Sequence, residues 1–275
     1  MRGRPGWRRL KRRLVAAIVG LAVLLWLGAG VSVVWPVVAP TPMAIIAHRG
    51  DLTAWPANTL EGVLAASRTE VDGIEFDVRQ SKDGTWWLFH DRYLDLATTG
   101  TGPFRSLTDS QLAALTIDGG PGFSGQQGVR LTRLAPVLDA LGAYRGALIV
   151  DVKEGNTPAH ADIAHLVAGR PDAYVICRSI AGASAVKSVD PGVTTVMLAN
   201  EVWHSDVDVF LADARTLPAF WQSTWTDLGG TLAMYVNVDI PGEQPDERAI
   251  LDHGRRWGVA FVITNQVNQS LALRP

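Results

Sequence analysis

From Ala44 to the C terminus, short β-branched runs alternate with stretches of helical periodicity, and no other feature restricts the fold as much. Runs at Ala44–Ala47, Gly73–Val78, Trp86–Phe89, Ala147–Val152, Tyr174–Cys177, Thr194–Leu198, Leu232–Val236 and Ala260–Ile263 are expected to be strands. Helical patterns fall between them at Thr59–Ser67, Ser110–Leu115, Leu134–Leu141, Ala159–Ala168, Ala212–Leu217 and Glu247–Trp257. Alternation of this kind implies a parallel sheet with helices on its faces, and about eight strands predict a closed (βα)8 barrel of TIM type. The competitor is a doubly wound open sheet. That fold usually carries a glycine-rich phosphate loop after its first strand, where this chain has His48-Arg49-Gly50.

One connection makes the expected barrel irregular. Too few residues separate Val78 from Trp86 for a crossover helix, and Asp83-Gly84 is a tight-turn pair. A hairpin centred there returns His90 to a place opposite Asp77, setting a histidine beside a carboxylate.

The N terminus has a different character. Residues 1–13 hold Arg2, Arg4, Arg8, Arg9, Lys11, Arg12 and Arg13, and no acid precedes Asp51. Leu14–Val34 is apolar apart from Ser32, close to the ~20 residues that a membrane-crossing helix needs. It is also longer than the ~7–15-residue apolar stretch of a cleavable signal peptide. The expected organisation is a basic cytoplasmic tip at 1–13, a transmembrane anchor at 14–36, a proline-stiffened linker at 37–43 and the barrel at 44–275. By the positive-inside rule the chain is then a single-pass cell-membrane protein with its catalytic domain extracytoplasmic.

The seven basic residues of the tip leave 18 against 27 acids in the remainder. An acidic body of this kind lacks the broad positive face that a nucleic-acid phosphate backbone requires, so no nucleic-acid partner is expected. Cys177 is the only cysteine, which excludes an intramolecular disulfide and a thiolate zinc site.

Reactive side chains gather in or at the ends of predicted strands: His48-Arg49, Glu75-Phe76-Asp77, His90-Asp91 and Asp151-Val152-Lys153. In a parallel barrel the C-terminal strand ends meet at one mouth, where the chemistry of this fold is done. Glu75 and Asp77 are two apart in a strand and share a face. Two carboxylates side by side repel unless a cation or a proton intervenes. An oxygen-preferring divalent cation, Mg²⁺ or Ca²⁺, is the natural partner, with Asp151 a candidate third ligand. Taken singly, each feature also has a structural reading: a hydrogen-bonded histidine, a solvated acidic strand, a surface ion pair. Their convergence on strand ends favours a site.

The order of the motifs adds a resemblance. Ile45-Ile46-Ala47-His48-Arg49-Gly50, Pro56-Ala57-Asn58-Thr59, Gly73-Ile74-Glu75-Phe76-Asp77-Val78, Lys82-Asp83-Gly84, His90-Asp91 and Thr98-Thr99-Gly100-Thr101-Gly102 look like successive motifs of the glycerophosphodiester phosphodiesterase family. Asp151-Val152-Lys153 resembles its second acidic-x-Lys pair, and Val262-Ile263-Thr264-Asn265 its final strand. The resemblance implies metal-dependent hydrolysis of glycerophosphodiesters to glycerol 3-phosphate and an alcohol. It makes His48 and His90 the general acid and base, Glu75, Asp77 and Asp151 the ligands of one divalent cation, and Arg49 and Lys153 the phosphate contacts. Departures are Ala57 in place of the family's usual glutamate, Ala97 in place of an arginine, and Asp151 in place of a glutamate.

The shorter Asp151 also suits a second enzyme reading, a lysophospholipase D or sphingomyelinase D-like activity on lysophospholipids, which the anchor would serve. A non-catalytic envelope barrel is the reading from another class, and it leaves both histidines and all three carboxylates unexplained. His160, His165, His204 and His253 have no clustered partners and read as surface or structural. Ser124-Gly125 is not a nucleophile elbow. Trp203, Trp221, Trp225 and Tyr235 are candidates for a lipid- or choline-facing rim or for packing.

Overall fold

The computed structural model describes residues 42–170, 172–198, 204–213, 231–236, 246–256 and 258–274. In chain order its strands are β1 (Ala44–His48), β2 (Gly73–Gln80), β3 (Trp86–Leu88), β4 (Thr132–Arg133), β5 (Ala147–Val152), β6 (Ala173–Cys177), β7 (Thr194–Leu198), β8 (Val209–Asp213), β9 (Thr231–Tyr235) and β10 (Phe261–Thr264). Its helices are α1 (Leu60–Ala66), α2 (Asp109–Ala114), α3 (Leu134–Ala140), α4 (Thr157–Val167), α5 (Ile180–Val189), α6 (Glu247–Arg256) and α7 (Val267–Ala272).

β1, β2 and β5 to β10 run parallel, each bonded to the next. β1 pairs with both β10 and β2, which closes the ring. The expected TIM-type barrel is the fold. Strand alternation divides the apolar side chains into two layers. Ile46, Ile149, Ile176, Val196, Leu211, Ala233 and Ile263 fill the interior. Ile45, Ala47, Ile74, Phe76, Val78, Val150 and Val152 face the helices. Because Ile74, Phe76 and Val78 point outward, the intervening Glu75 and Asp77 point inward. The register sets Glu75 beside Ile149 and Asp77 beside Asp151.

Two expectations about the strands need correction. Trp86–Leu88 is not a barrel stave: β3 pairs antiparallel with β2 and β4, in an excursion with its own core of Trp87, Phe89, Leu94, Phe104, Leu112 and Ile117. The eighth stave is β8, where Ala212 and Asp213 were expected to open a helix. A short apolar run such as Val209-Phe210-Leu211-Ala212 fits a buried strand and a buried helix equally well by periodicity. Helix α5, rich in Ala, Gly and Ser, lacks the strong apolar stripe that marks a helix in sequence.

The predicted membrane span at 14–36 lies outside the described residues, as do Trp203, Trp221 and Trp225. Among the described residues no helix is long and apolar enough to cross a membrane. Tyr235 is half-buried and packs against the apolar cluster of the barrel interior.

Candidate active site

The site begins at the turn after β1. Arg49 and Asn58 take left-handed backbone conformations, φ 59° and 60°, and Asn58 N–H donates to the Arg49 carbonyl at 3.0 Å. Gly50 is required here. Its φ is 96°, and an added Cβ would lie 2.7 Å from the Gly62 carbonyl carbon. Thr59 then caps α1 by accepting from Gly62 N–H. This tight turn aims Arg49 and Asn58 back over the barrel mouth.

Glu75, Asp77 and Asp151 each place a carboxylate oxygen within 4.8 Å of the others, and all three are buried. Asp77 is the best compensated. Asn58 Nδ2 donates to its Oδ2 at 2.8 Å, while Asp77 N–H donates to Asn58 Oδ1 at 2.9 Å. Lys153 Nζ lies 2.7 Å from Asp77 Oδ1, and Arg49 Nε lies 3.0 Å from Oδ2. That Arg49 contact falls outside hydrogen-bonding angles, so it acts through charge. Burial pushes the Asp77 pKa up, but Lys153 and Arg49 outweigh it and hold the group well below the usual carboxylate range. Lys153 also donates to Asp151 Oδ2 at 2.7 Å, and Arg178 pairs with Asp151 Oδ1. Burial disfavours the Lys153 charge, yet Asp77 and Asp151 prevail and raise its pKa.

Glu75 is different. It accepts the Arg49 backbone N–H at 3.1 Å and lies 3.8 Å from His48 Nε2. Burial, then the charges of Asp77 and Asp151, push its pKa well above the ordinary value, with Lys153 and Arg49 opposing too weakly. Positive charge is therefore in deficit on the Glu75 side of a cluster of three hard oxygen donors. That donor set fits Mg²⁺ or Ca²⁺.

The two histidines are held by different devices. His48 Nδ1 donates to Asn265 Oδ1 at 2.5 Å, which turns Nε2 toward Glu75. His90 Nδ1 donates to Asp91 Oδ1 at 2.7 Å, and this bond, then the His90 charge, keeps Asp91 below its ordinary pKa against the effect of burial. Arg79 Nε donates to the His90 carbonyl at 3.0 Å. The Asp83-Gly84 hairpin forms as expected, but Phe89 N–H is what meets the Asp77 carbonyl, at 3.0 Å. His90 lies one residue farther along, past the end of the ladder, with its ring at the mouth. Both rings lie near enough to Asp77 to favour its ionised form.

All seven residues singled out from sequence thus meet at one end of the barrel. Three partners were given no role from sequence, Asn58, Arg178 and Asn265, although Asn58 and Asn265 stand in motifs that carry the resemblance. Arg178 directly follows β6 and Asn265 directly follows β10, as Arg49 directly follows β1. Polar residues immediately after a barrel strand were the available signal. Of the remaining histidines, His160 is buried and structural. Its Nδ1 donates to the Asn156 carbonyl, and its Nε2 accepts the Arg178 N–H. His165 is exposed, and His204 accepts the N–H of Asp206.

Residues 48–159 match the profile of the glycerophosphoryl diester phosphodiesterase family. A glycerophosphodiester phosphodiesterase from Caldanaerobacter subterraneus is 33% identical over 113 residues, 40% of this chain and 45% of that protein. A probable glycerophosphodiester phosphodiesterase 1 from Mycobacterium tuberculosis is 41% identical over 71 residues, 26% of each chain. The chain therefore spans less than half the length of these curated relatives. Among solved structures, a glycerophosphodiester phosphodiesterase from Agrobacterium tumefaciens superposes with TM-score 0.67 at 23% identity, covering 84% of this chain and 99% of that one. A phosphodiesterase from Oleispira antarctica, solved with the product sn-glycerol 3-phosphate, gives 0.71 at 20% identity over 84% and 96%. At these identities the structures establish a shared fold.

Proposed function

We propose that this chain, whose residues 48–159 match the profile of the glycerophosphoryl diester phosphodiesterase family, hydrolyses glycerophosphodiesters to glycerol 3-phosphate and an alcohol. The observation that carries this reading is the buried Glu75, Asp77 and Asp151 cluster, with Arg49 and Lys153 on it and a histidine on either side. A phosphodiester brings negative charge to a domain that is acidic overall, and the cations at the barrel mouth are what admit it.

In this reading Glu75, Asp77 and Asp151 hold one Mg²⁺ or Ca²⁺, which supplies positive charge against the phosphoryl oxygens. Arg49 and Lys153 bind the phosphate and meet the charge that builds in the transition state. His48 and His90 move the protons, one taking a proton from the attacking oxygen and the other giving one to the departing alkoxide. Imidazole, with an ordinary pKa near ~6.5, suits both tasks. Asn265 and Asp91 each engage an Nδ1, so Nε2 is the atom at which each ring exchanges its proton.

The proposal extends to location. The apolar segment 14–36 anchors the chain in the cell membrane, with the basic tip inside and the barrel outside. An impermeant thiol reagent should label a cysteine placed on an exposed barrel loop in intact cells, and labelling only after lysis would overturn the orientation. The activity itself is tested with the full chain on glycerophosphodiesters, with and without Mg²⁺, Ca²⁺ and EDTA. Release of glycerol 3-phosphate that chelation abolishes is expected. Full turnover in EDTA would overturn the metal assignment, and no turnover on any diester would overturn the function.

A further inference from the structure

Between His90 and the excursion that follows β3 lies a small cavity open to solvent. Arg49, Asn58, His90 and Asp91 form the side that belongs to the catalytic cluster. The far side is Ala57, Ala97, Ile117 and the backbone from Gly119 to Pro121. His90, and not His48, lines it, so a diester whose phosphate sits on the carboxylate and cation cluster extends one of its two alcohols into this space.

The far wall is set by backbone, not by long side chains. Ala57 N–H donates to the Pro121 carbonyl at 2.9 Å, and Asp118 N–H donates to the Ala97 carbonyl at 3.1 Å. Gly119 is tight against the chain that carries Ala97: an added Cβ would meet the Leu96 carbonyl oxygen at 2.5 Å. The Ala57 and Ala97 methyl groups mark the limit of the space on that side.

Charge is confined to the near side, where it is already engaged. Arg49 serves Asp77, and Asp91 holds the His90 ring. The far wall carries no ionisable side chain. At that wall a headgroup with an ammonium or a carboxylate would give up hydration with no ionisable side chain beside it, Asp91 lying on the opposite side and engaged with His90, whereas an uncharged alcohol gives up little and gains contact with Ala57, Ala97 and Ile117.

We propose that this cavity receives the alcohol portion of the diester on the His90 side, and that Ala57 and Ala97 make it selective for uncharged alcohols over charged headgroups. The inference rests on the phosphodiesterase reading above and adds to it the class of alcohol.

The test uses the full chain and measures released sn-glycerol 3-phosphate. Glycerophosphopropanol and glycerophosphoethanolamine form a near-isosteric pair, methyl against ammonium, and glycerophosphoserine adds a carboxylate. The expected result is a kcat/KM about tenfold or more higher for the propanol ester than for either charged ester, on the scale that pocket contacts discriminate. Ala97→Asp should move the ethanolamine-to-propanol ratio about tenfold toward the cation, and Ala57→Asp supplies the same test should the first variant fail to fold. Equal kcat/KM for the isosteric pair in the natural chain would overturn this inference alone. So would unchanged ratios in a variant with an intact melting transition. No hydrolysis of any ester would overturn the phosphodiesterase reading and this inference with it.

Discussion

His48 Nδ1 donates to Asn265 Oδ1 across 2.5 Å, a bond that ties the end of the first barrel strand to the end of the last. The two residues are 217 apart in the chain, and the β1–β10 pairing brings them together, with Ala47 in register with Thr264. Closure of the barrel and orientation of a proposed catalytic ring are therefore one event. Asn265→Ala should lower kcat about 10–100-fold, the usual loss when a partner that orients a functional histidine is removed, with little change in KM. Asn265→Asp should retain much of the activity and move a limb of the pH–rate profile upward, because an anion beside the ring favours its charged form. A purely structural role for Asn265 would leave that limb in place.

Glu75 gives a prediction about metal and stability together. Its charge is disfavoured by burial and by two neighbouring carboxylates, so the metal-free protein gains nothing from it. Glu75→Gln should leave the stability of the metal-free form equal or higher in urea denaturation. The same variant should lose the stabilisation that saturating Mg²⁺ or Ca²⁺ gives, about 2.7 kcal/mol at a hundredfold excess over Kd. An unaltered metal-dependent shift in the variant would remove Glu75 from the ligand set.

His48→Ala and His90→Ala should each cut turnover on natural diesters about 10²–10⁴-fold while leaving the melting transition and metal affinity in place. The double variant should fall far short of the product of the two losses, because groups that act in one step are not additive. A diester with a p-nitrophenolate leaving group needs little protonation, so it should largely rescue whichever single variant has lost the acid. Near-normal turnover of either variant would end the two-histidine mechanism.

Much of this site was legible because it is local. The Glu75-x-Asp77 spacing sets two carboxylates on one face of one strand, and Asp83-Gly84 fixes the hairpin that brings His90 back; neither depends on distant sequence. What escaped is what closure creates. Asn265 gains its partner when β10 meets β1, and Arg178 gains Asp151 when β6 aligns with β5. Strand β8 was hidden for a different reason: a run of four apolar residues carries no period that separates strand from helix.

Gly50 should tolerate no side chain. Its positive φ strains any L-residue, and the Gly62 backbone occupies the place of a Cβ at 2.7 Å. Gly50→Ala is expected to cost at least ~1–3 kcal/mol of stability in denaturant unfolding. It should also lower activity in the fraction that still folds, since the turn positions Arg49 and Asn58. A loss confined to stability, with normal kcat in the folded fraction, would separate the turn from the site.

His160 links acid stability to the site's outer support. It is fully buried, its Nδ1 donates to the Asn156 carbonyl at 2.9 Å, and its Nε2 accepts the N–H of Arg178, the residue that pairs with Asp151. Burial lowers its pKa in the folded protein. The unfolded chain then binds a proton at a higher pH, near ~6.5, than the folded one does. The stability held above that pH is lost as pH falls below it. Most carboxylates titrate lower, and Glu75 and Glu154, whose pKa values burial raises, act in the opposite sense, so the His160 contribution is read from the difference between the natural chain and a variant that lacks it. His160→Gln keeps a donor for Asn156 and an acceptor for Arg178 but does not titrate. The variant should lose about 1–2 kcal/mol at pH 7 from the smaller side chain, yet show a flatter decline than the natural chain over that window. Parallel declines of the two proteins between pH 6.5 and 5 would mean that His160 takes up its proton as readily folded as unfolded, against the burial seen here.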